Sequence, residues 1–216
     1  MTKASDSATW NAVHTERRAL IRDLESLEPG RWTTASLCPG WDVHDVLAHL
    51  VDSAKTTRLG FVRRMLAARF DFDRDNAAGV ARERTRDPGR TLDRFRSVSS
   101  STSTPPVALA TRLVEAYVHG EDIRRPLGID SDYPPEHVAT ALAYQVTTSV
   151  KIGGGKELAH GWRLVATDTE LVHGDGPEVR APAIALLLAI SGRPVSAAEL
   201  GGPGAPAFAT TITKPS

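Results

Sequence analysis

The sequence predicts a mainly α fold, an up-down four-helix bundle followed by a small α/β domain. In the N-terminal part, apolar side chains recur every three or four positions in four main segments, the spacing of helices that pack in a bundle. After residue 160 the apolar period changes to two, which indicates short strands. We therefore expect a helical bundle over residues 1–130 and a small α/β domain over residues 131–216.

The composition is that of a globular protein and gives no electrostatic case for binding nucleic acid or a membrane. Lys+Arg and Asp+Glu balance at 26 each, and hydrophobic residues make up 41%. The longest strongly apolar run, residues 183–190, is too short to span a bilayer, and the N-terminus has no apolar signal-peptide core. A single cysteine, Cys38, excludes an internal disulfide and fits a reducing compartment, so we expect a cytoplasmic protein.

Local signals place the first two helices. Residues 7–27 repeat apolar positions at helical spacing, and Pro29 follows them as a stop. Asp42 is a good N-cap for the second helix, with Asp45 three residues later as in a capping box. We expect this second helix to continue to about Arg69.

The remaining bundle helices follow from similar signals. A short helix is expected over residues 76–84, and Thr91 is expected to cap another. The Ser/Thr/Pro run over residues 97–106 predicts a loop, whose Pro106 suits the first turn of a long helix. That helix, residues 107–128, is apolar around most of its circumference and is central to the bundle.

The long helix carries a candidate metal-binding pair. Glu115 and His119 are four residues apart and lie on one face, one turn from each other, so both can ligate a divalent metal ion. Thr111, Arg112 and Asp122 fall on the same side of the helix. The alternative is therefore that this side is only a solvated polar face, and helical spacing alone favours that alternative.

Histidines of the first two helices supply the candidates for a third ligand. His49 lies at the edge of the apolar stripe of the second helix, next to Ser53, from where it can reach inward between helices. The alternative is a partly buried structural histidine. His44 lies on the opposite, polar side and is the weaker candidate, and His14 is expected at the surface.

Two segments together resemble a known family. The pairing of PGWDVHDVLAHL with EAYVHGEDIRRPLG is similar to the DinB-like bundles of the mycothiol-dependent maleylpyruvate isomerase family, typical of actinobacteria. The resemblance covers roughly residues 7–128 and extends more weakly to the C-terminus. It implies a metal ion, usually zinc, on His49, Glu115 and His119, and it implies a homodimer.

The resemblance also implies a function. Two nitrogen ligands and one oxygen ligand leave a fourth position open, the layout of a catalytic zinc. The relatives favour mycothiol as the thiol, activated as a thiolate that attacks a small electrophilic molecule, so we expect a transferase or isomerase. No general base is visible in the sequence. Asp122 either orients the His119 ring or is a surface acid near the helix end, and the spacing favours the surface acid.

Two other functions stay open. The bundle could be a non-catalytic metal-binding or ligand-sensing module, or a hydrolase in which the metal activates water. In the maleylpyruvate isomerase that gives the family its name, an arginine of the C-terminal domain serves the anionic substrate. Arg180 and Arg193 are the candidates here, but neither aligns with that arginine, so the resemblance predicts the family and not the specific isomerase activity. Cys38 precedes the second helix, where its thiolate could be stabilised, but an inert cysteine is favoured.

The C-terminal part alternates helix and strand signals. A helix is expected over residues 136–150, and the glycines that follow it have no phosphate-loop context. Strands are expected over 161–168, 170–173 and 178–181, before a helix over 183–191, and the final residues are expected to form a packed strap and a tail. His173 and Arg193 could face a ligand, but each is more typical of a loop.

Overall fold

The computed structural model describes residues 3–212 of the chain, and these fall into two compact units that meet between Ser131 and Asp132 in the sequence. The described part of the first unit contains these helices: α1 (Lys3–Leu24), α2 (Val43–Lys55), α3 (Arg58–Ala67), α4 (Phe72–Glu83), α5 (Pro88–Val98) and α6 (Ala110–Leu127). The second contains α7 (Pro135–Gln145), α8 (Lys156–Ala159), β1 (Arg163–Ala166), β2 (Val172–His173), β3 (Glu178–Ala181), α9 (Ala183–Ile190) and α10 (Ala205–Ile212). The predicted mainly α fold with a small α/β part is confirmed.

Four helices make the bundle, since α5 and α6 each pack against both α1 and α2. Their shared core is built from buried apolar side chains: Leu20, Ile21, Leu24, Trp32, Val43, Val46, Leu47, Leu50, Val51, Leu92, Phe95, Ile123 and Leu127. Each large side chain buried in this way contributes about 1.5–3 kcal/mol of transfer free energy. The helices that carry the candidate ligands, α2 and α6, are therefore anchored by the main core.

The capping box at the start of α2 is confirmed. The Asp42 side chain accepts a hydrogen bond from the Asp45 backbone, and the Asp45 side chain accepts one from the Asp42 backbone. The prediction that this helix continues to about residue 69 is wrong, because it ends at Lys55. The chain restarts as α3, since the Thr57 hydroxyl accepts from the Gly60 backbone and forms a new N-cap.

Two other predicted helix starts are wrong by several residues. Asp87, not Thr91, caps α5, because its carboxylate accepts from the Gly89 backbone. The hydroxyl of Thr91 instead lies inside the unit, fully buried. The long helix begins at Ala110 rather than directly after Pro106.

The second unit has a three-stranded sheet of order β2-β1-β3, with β1 antiparallel to β2 and parallel to β3. Leu164 of β1 pairs with Val179 of β3 and is completely buried. The predicted strands and α9 are confirmed, but α7 ends at Gln145, where the Gly155 backbone donates to its carbonyl, rather than at residue 150. The expected strap contains α10, while the predicted tail at residues 213–216 lies outside the described residues.

Candidate metal centre

The rings of His49 on α2 and His119 on α6 are neighbours in the first unit. Their centroids are 4.8 Å apart and their planes meet at 73°. The ring of Trp41 is a second neighbour of His49, with 5.2 Å between the ring centroids. The packing of α2 against α6 thus brings together two of the three predicted ligands, and the third, Glu115, precedes His119 by one helical turn.

The environment of His49 favours a neutral imidazole. Its Nδ1 atom is buried and has no hydrogen-bond partner among the described residues. Burial, and next the positive charge that His119 can carry, lower the pKa of His49 to about 4. A neutral imidazole is the form that binds a metal ion, and a buried ring nitrogen without a partner is costly unless something binds it.

His119 is oriented by a carboxylate. Its Nδ1 donates a hydrogen bond to Oδ2 of Asp122, 2.8 Å away, and Asp122 is completely buried. Because Nδ1 must carry the hydrogen in this bond, the neutral ring has its lone pair on Nε2. The interpretation of Asp122 as a surface acid is therefore wrong.

The carboxylate of Glu115 is charged and held in place. Its Oε2 accepts a hydrogen bond from the hydroxyl of Ser53 and lies 2.9 Å from Nη1 of Arg112. Burial, the largest influence, opposes ionisation, but the charges of Arg112 and Arg17 and the hydrogen bond from Ser53 hold the pKa of Glu115 below its usual range. Glu115 is thus an anionic donor at neutral pH.

The polar side of α6 faces the interior of the bundle. Arg112 is 6% exposed, the Glu115 side chain is 10% exposed and Asp122 is fully buried. The alternative that this side is a solvated polar face is therefore wrong. Helical spacing could not reveal this, because an inward and an outward polar face have the same periodicity.

The donor set fits a divalent metal ion in chemistry, and the rings of its two imidazoles are neighbours. His49 has an unpartnered buried nitrogen, and His119 has the tautomer that leaves Nε2 available. Oε2 of Glu115, however, is engaged by Ser53 and Arg112. No group of three or more His, Cys, Asp or Glu side chains within the described part of the chain is close enough together to hold a metal ion. The ligand set His49, Glu115 and His119 stays a prediction.

The two weaker histidine candidates, His44 and His14, contact other protein groups and not the candidate metal centre. His44 is buried and does not lie on a polar side. Its Nε2 lies 2.8 Å from the Thr91 hydroxyl, and its ring packs edge to face on Trp32. Burial lowers the pKa of His44. His14 is half-buried, stacks on Trp10 and lies with Nε2 3.2 Å from the Ser101 carbonyl.

The other candidates outside the two helices also contact local protein groups. Cys38 is half-buried against the core of the bundle, and Asp42 rather than Cys38 caps α2, which favours an inert cysteine. In the second unit Arg180 is exposed and pairs with Glu178, and Arg193 donates to the Ser191 carbonyl. His173 is half-buried in β2. Roles of these residues in ligand binding stay predictions.

Sequence reasoning assigned no role to two polar residues around the site, Ser53 and Arg17. Ser53 joins Glu115 to Arg112 by accepting from Nη1 of Arg112 at 2.8 Å. Arg17 of α1 is 2% exposed and interacts electrostatically with Glu115. One signal could have found Arg17, since it lies four residues after Val13 and within the apolar stripe of the first helix.

Comparisons with known proteins bear on this arrangement. Residues 13–102 match the family model described as the mycothiol maleylpyruvate isomerase N-terminal domain. The chain is similar to a crystal structure of a histidine-to-alanine mutant of the mycothiol-dependent maleylpyruvate isomerase, at 15% identity and a TM-score of 0.63, covering 95% of this chain and 97% of that chain. A second crystal structure of the mycothiol-dependent maleylpyruvate isomerase matches at 16% identity and a TM-score of 0.60, covering 89% and 92%.

The likeness to the solved structures shows a shared fold. Comparison with curated proteins found no match. Within the described residues, no helix combines the length and hydropathy that crossing a membrane requires.

Proposed function

We propose that this chain is a mycothiol-dependent isomerase or transferase, because its residues 13–102 match the family model described as the mycothiol maleylpyruvate isomerase N-terminal domain. The substrate is a small electrophilic molecule, and the thiol attacks it as a thiolate. The predicted resemblance to this family is confirmed. The metal ion and the particular reaction are part of the proposal.

One observation carries the proposal. The imidazoles of His49 and His119 lie 4.8 Å apart inside the bundle, and a buried nitrogen of His49 has no partner among the described residues. With Glu115 on the same face of α6, these side chains are the residues that would hold a divalent metal, zinc being favoured by two nitrogen donors and one oxygen donor.

When bound, such a metal supplies a positive charge that favours the thiolate form of a coordinated thiol. The chain prepares its own groups for this chemistry. Burial keeps His49 neutral, and Asp122 fixes the tautomer of His119. Ser53 and Arg112 hold the Glu115 carboxylate ionised and oriented.

The first experiment measures metal content by mass spectrometry in wild type, His49→Ala, Glu115→Ala and the control His160→Ala, whose side chain is exposed in the second unit. We expect about one zinc ion per chain in wild type and control and loss of it in the other two variants. No bound metal in wild type, even after incubation with zinc, would contradict the proposal.

The second experiment follows consumption of maleylpyruvate with and without mycothiol. Turnover that requires the thiol supports the isomerase or transferase. Retained metal without turnover of any electrophile would indicate a binding or sensing module, and hydrolysis without the thiol would indicate a metal-dependent hydrolase.

The cellular setting and assembly are further parts of the proposal. A single cysteine, half-buried, favours the reducing cytoplasm, where a low-molecular-weight thiol is available. A homodimer is expected from the resemblance, and light scattering on the purified protein tests it. Neither nucleic acid nor membrane is expected as a partner, because acidic and basic residues balance at 26 each.

A further inference from the structure

We propose that the turn of residues 36–41 positions the imidazoles of His49 and His119, and that Pro126 gives this turn its attachment point on α6. The turn and both helices that carry the histidines belong to the first unit. The contacts of the turn stand by themselves, and their consequence for metal binding rests on the proposed function.

Pro126 leaves a backbone carbonyl of α6 without its helical donor. In an uninterrupted helix the amide of residue 126 would donate to the carbonyl of Asp122, four residues earlier. Proline has no N–H, so this bond is missing although α6 continues to Leu127. The Asp122 carbonyl accepts instead from the backbone N–H of Leu37, with 3.2 Å between nitrogen and oxygen. The proline inside the helix thus creates the acceptor that binds the turn.

Asp122 connects the turn to His119. Its backbone carbonyl accepts from Leu37, and its carboxylate accepts from Nδ1 of His119 at 2.8 Å. The residue is completely buried, so both acceptors lie where an unpaired polar atom is costly. The bond from the turn therefore fixes the backbone from which the carboxylate of Asp122 orients the ring of His119.

The turn itself is held together by backbone and hydroxyl contacts. The Ser36 hydroxyl accepts from the Cys38 amide at 3.1 Å and donates to the Trp41 carbonyl at 2.8 Å. The Trp41 amide donates to the Cys38 carbonyl at 3.1 Å. Gly40 has a φ of 79°, a left-handed conformation that glycine adopts without strain. Leu37 and Trp41 are therefore held at a fixed separation.

Trp41 connects the turn to the second imidazole. Its ring lies 5.2 Å from that of His49 between centroids, and it also packs against the apolar core of the bundle. Nδ1 of His49 makes no hydrogen bond among the described residues, so no partner at that atom fixes the ring. Packing between the rings of Trp41 and His119 restricts its rotation instead. One turn thus acts on both imidazoles, on His49 through Trp41 and on His119 through Asp122.

This arrangement orders the two rings before a ligand binds. A ligand that contacts both imidazoles, such as a divalent metal ion, then causes a smaller loss of conformational freedom on binding. Loss of a partner that orients a metal-binding histidine lowers metal affinity about 10–100-fold. Leu37 and Trp41 are therefore positioning residues for the proposed metal centre.

Replacement of Pro126 by alanine separates this role from a purely structural one. Alanine restores an N–H that competes with Leu37 for the Asp122 carbonyl, and it removes an unfavourable proline from a helix. We expect Pro126→Ala to be at least as stable as wild type in urea, while amide hydrogen exchange at Leu37 becomes about tenfold faster. Zinc affinity is expected to fall about tenfold. The control is Pro88→Ala, because Pro88 is the first residue of α5, where a proline removes no helical hydrogen bond.

Substitution of Trp41 tests the other contact of the turn. Competition with a chromophoric chelator is expected to show zinc affinity about 10–100-fold weaker in Trp41→Ala, and recovery in Trp41→Phe because its ring still packs on His49. The control is Trp10→Ala, whose indole stacks on His14 of α1. NMR of the metal-free proteins gives a second readout, since the ring signals of His49 are expected to move in Pro126→Ala although His49 lies on another helix.

Two outcomes would overturn the proposal: unchanged exchange at Leu37 in Pro126→Ala, or wild-type zinc affinity in both Pro126→Ala and Trp41→Ala. If Trp41→Ala does not fold, judged by circular dichroism, Pro126→Ala decides by itself. Absence of zinc from wild type, together with faster exchange at Leu37 and moved His49 signals in Pro126→Ala, would contradict only the proposed metal-dependent function. Zinc binding and thiol-dependent turnover that neither substitution changes would contradict only the positioning role.

Discussion

His119 and Asp122 form a hydrogen bond of 2.8 Å within one turn of α6, from the ring Nδ1 to a carboxylate that is completely buried. The bond fixes the tautomer of the ring and therefore decides which nitrogen can bind a metal ion. A residue outside the predicted ligand set thus orients one of the predicted ligands.

Replacement of Asp122 tests this relationship. We expect Asp122→Asn to lower zinc affinity about 10–100-fold, because the amide no longer favours the Nδ1–H tautomer of His119. Competition with a chromophoric chelator measures the affinity. Asp93→Asn, on an exposed acid of α5, serves as the control and is expected to leave affinity unchanged. Equal affinities in all three proteins would contradict an orienting role for Asp122.

Ser53 links Glu115 to Arg112, and its removal is expected to loosen the carboxylate. In Ser53→Ala the buried Glu115 and Arg112 side chains each lose one hydrogen bond, which costs about 1–3 kcal/mol of stability. We also expect weaker zinc binding. Urea denaturation and chelator competition measure the two effects, with Ser97→Ala on the exposed side of α5 as the control. A Ser53→Ala protein as stable as the control would show that Ser53 makes no net contribution.

Glu16 is expected to make stability depend on pH. Burial raises the pKa of Glu16 from 4.5 to about 7, although Arg124 next to it opposes the shift. The folded protein therefore binds more protons than the unfolded chain between pH 4.5 and 7, so stability is lost as pH rises through this window.

Measurement of this effect compares urea unfolding of wild type and Glu16→Gln at several pH values. The change of the pKa from 4.5 to about 7 gives an upper limit of about 3.5 kcal/mol, at about 1.4 kcal/mol for each tenfold change in proton affinity. As pH rises from 4.5 to 7, the wild type is expected to lose stability relative to Glu16→Gln. The control is Glu25→Gln, which replaces an exposed acid, and its free-energy difference from wild type is expected to stay constant. A constant difference for Glu16→Gln would refute the shifted pKa.

Gly79 on α4 has no room for a side chain. A Cβ atom there would lie 2.5 Å from Oδ2 of Asp52, and Asp52 is held by ion pairs to Arg64 and Arg82. We expect Gly79→Ala to lower the free energy of unfolding by about 1–3 kcal/mol. Gly30→Ala is the control, since no atom lies within 4 Å of its added Cβ. Equal stabilities of the two variants would show that Asp52 can move.

Part of the fold could be predicted from local sequence signals. The capping box of Asp42 and Asp45 was predictable because both partners lie within one turn. The break between α2 and α3 was not, because the apolar period continues through Thr57 while the helix stops. The predicted start of α6 was several residues too early, because a proline is compatible with the first turn of a helix but does not require one.

The sequence by itself determined the four helices of the bundle, the one-turn spacing of Glu115 and His119, and a family resemblance that also points to His49. Only the tertiary structure decided that the rings of His49 and His119 are neighbours, and that Arg17, Arg112 and Asp122 are buried. The bonds of the site join residues as far apart as 62 positions for Ser53 and Glu115, and 84 for Arg17 and Ser101. Periodicity along one helix fixes which residues share a face, but the rotation of that face toward the interior depends on how the other helices pack.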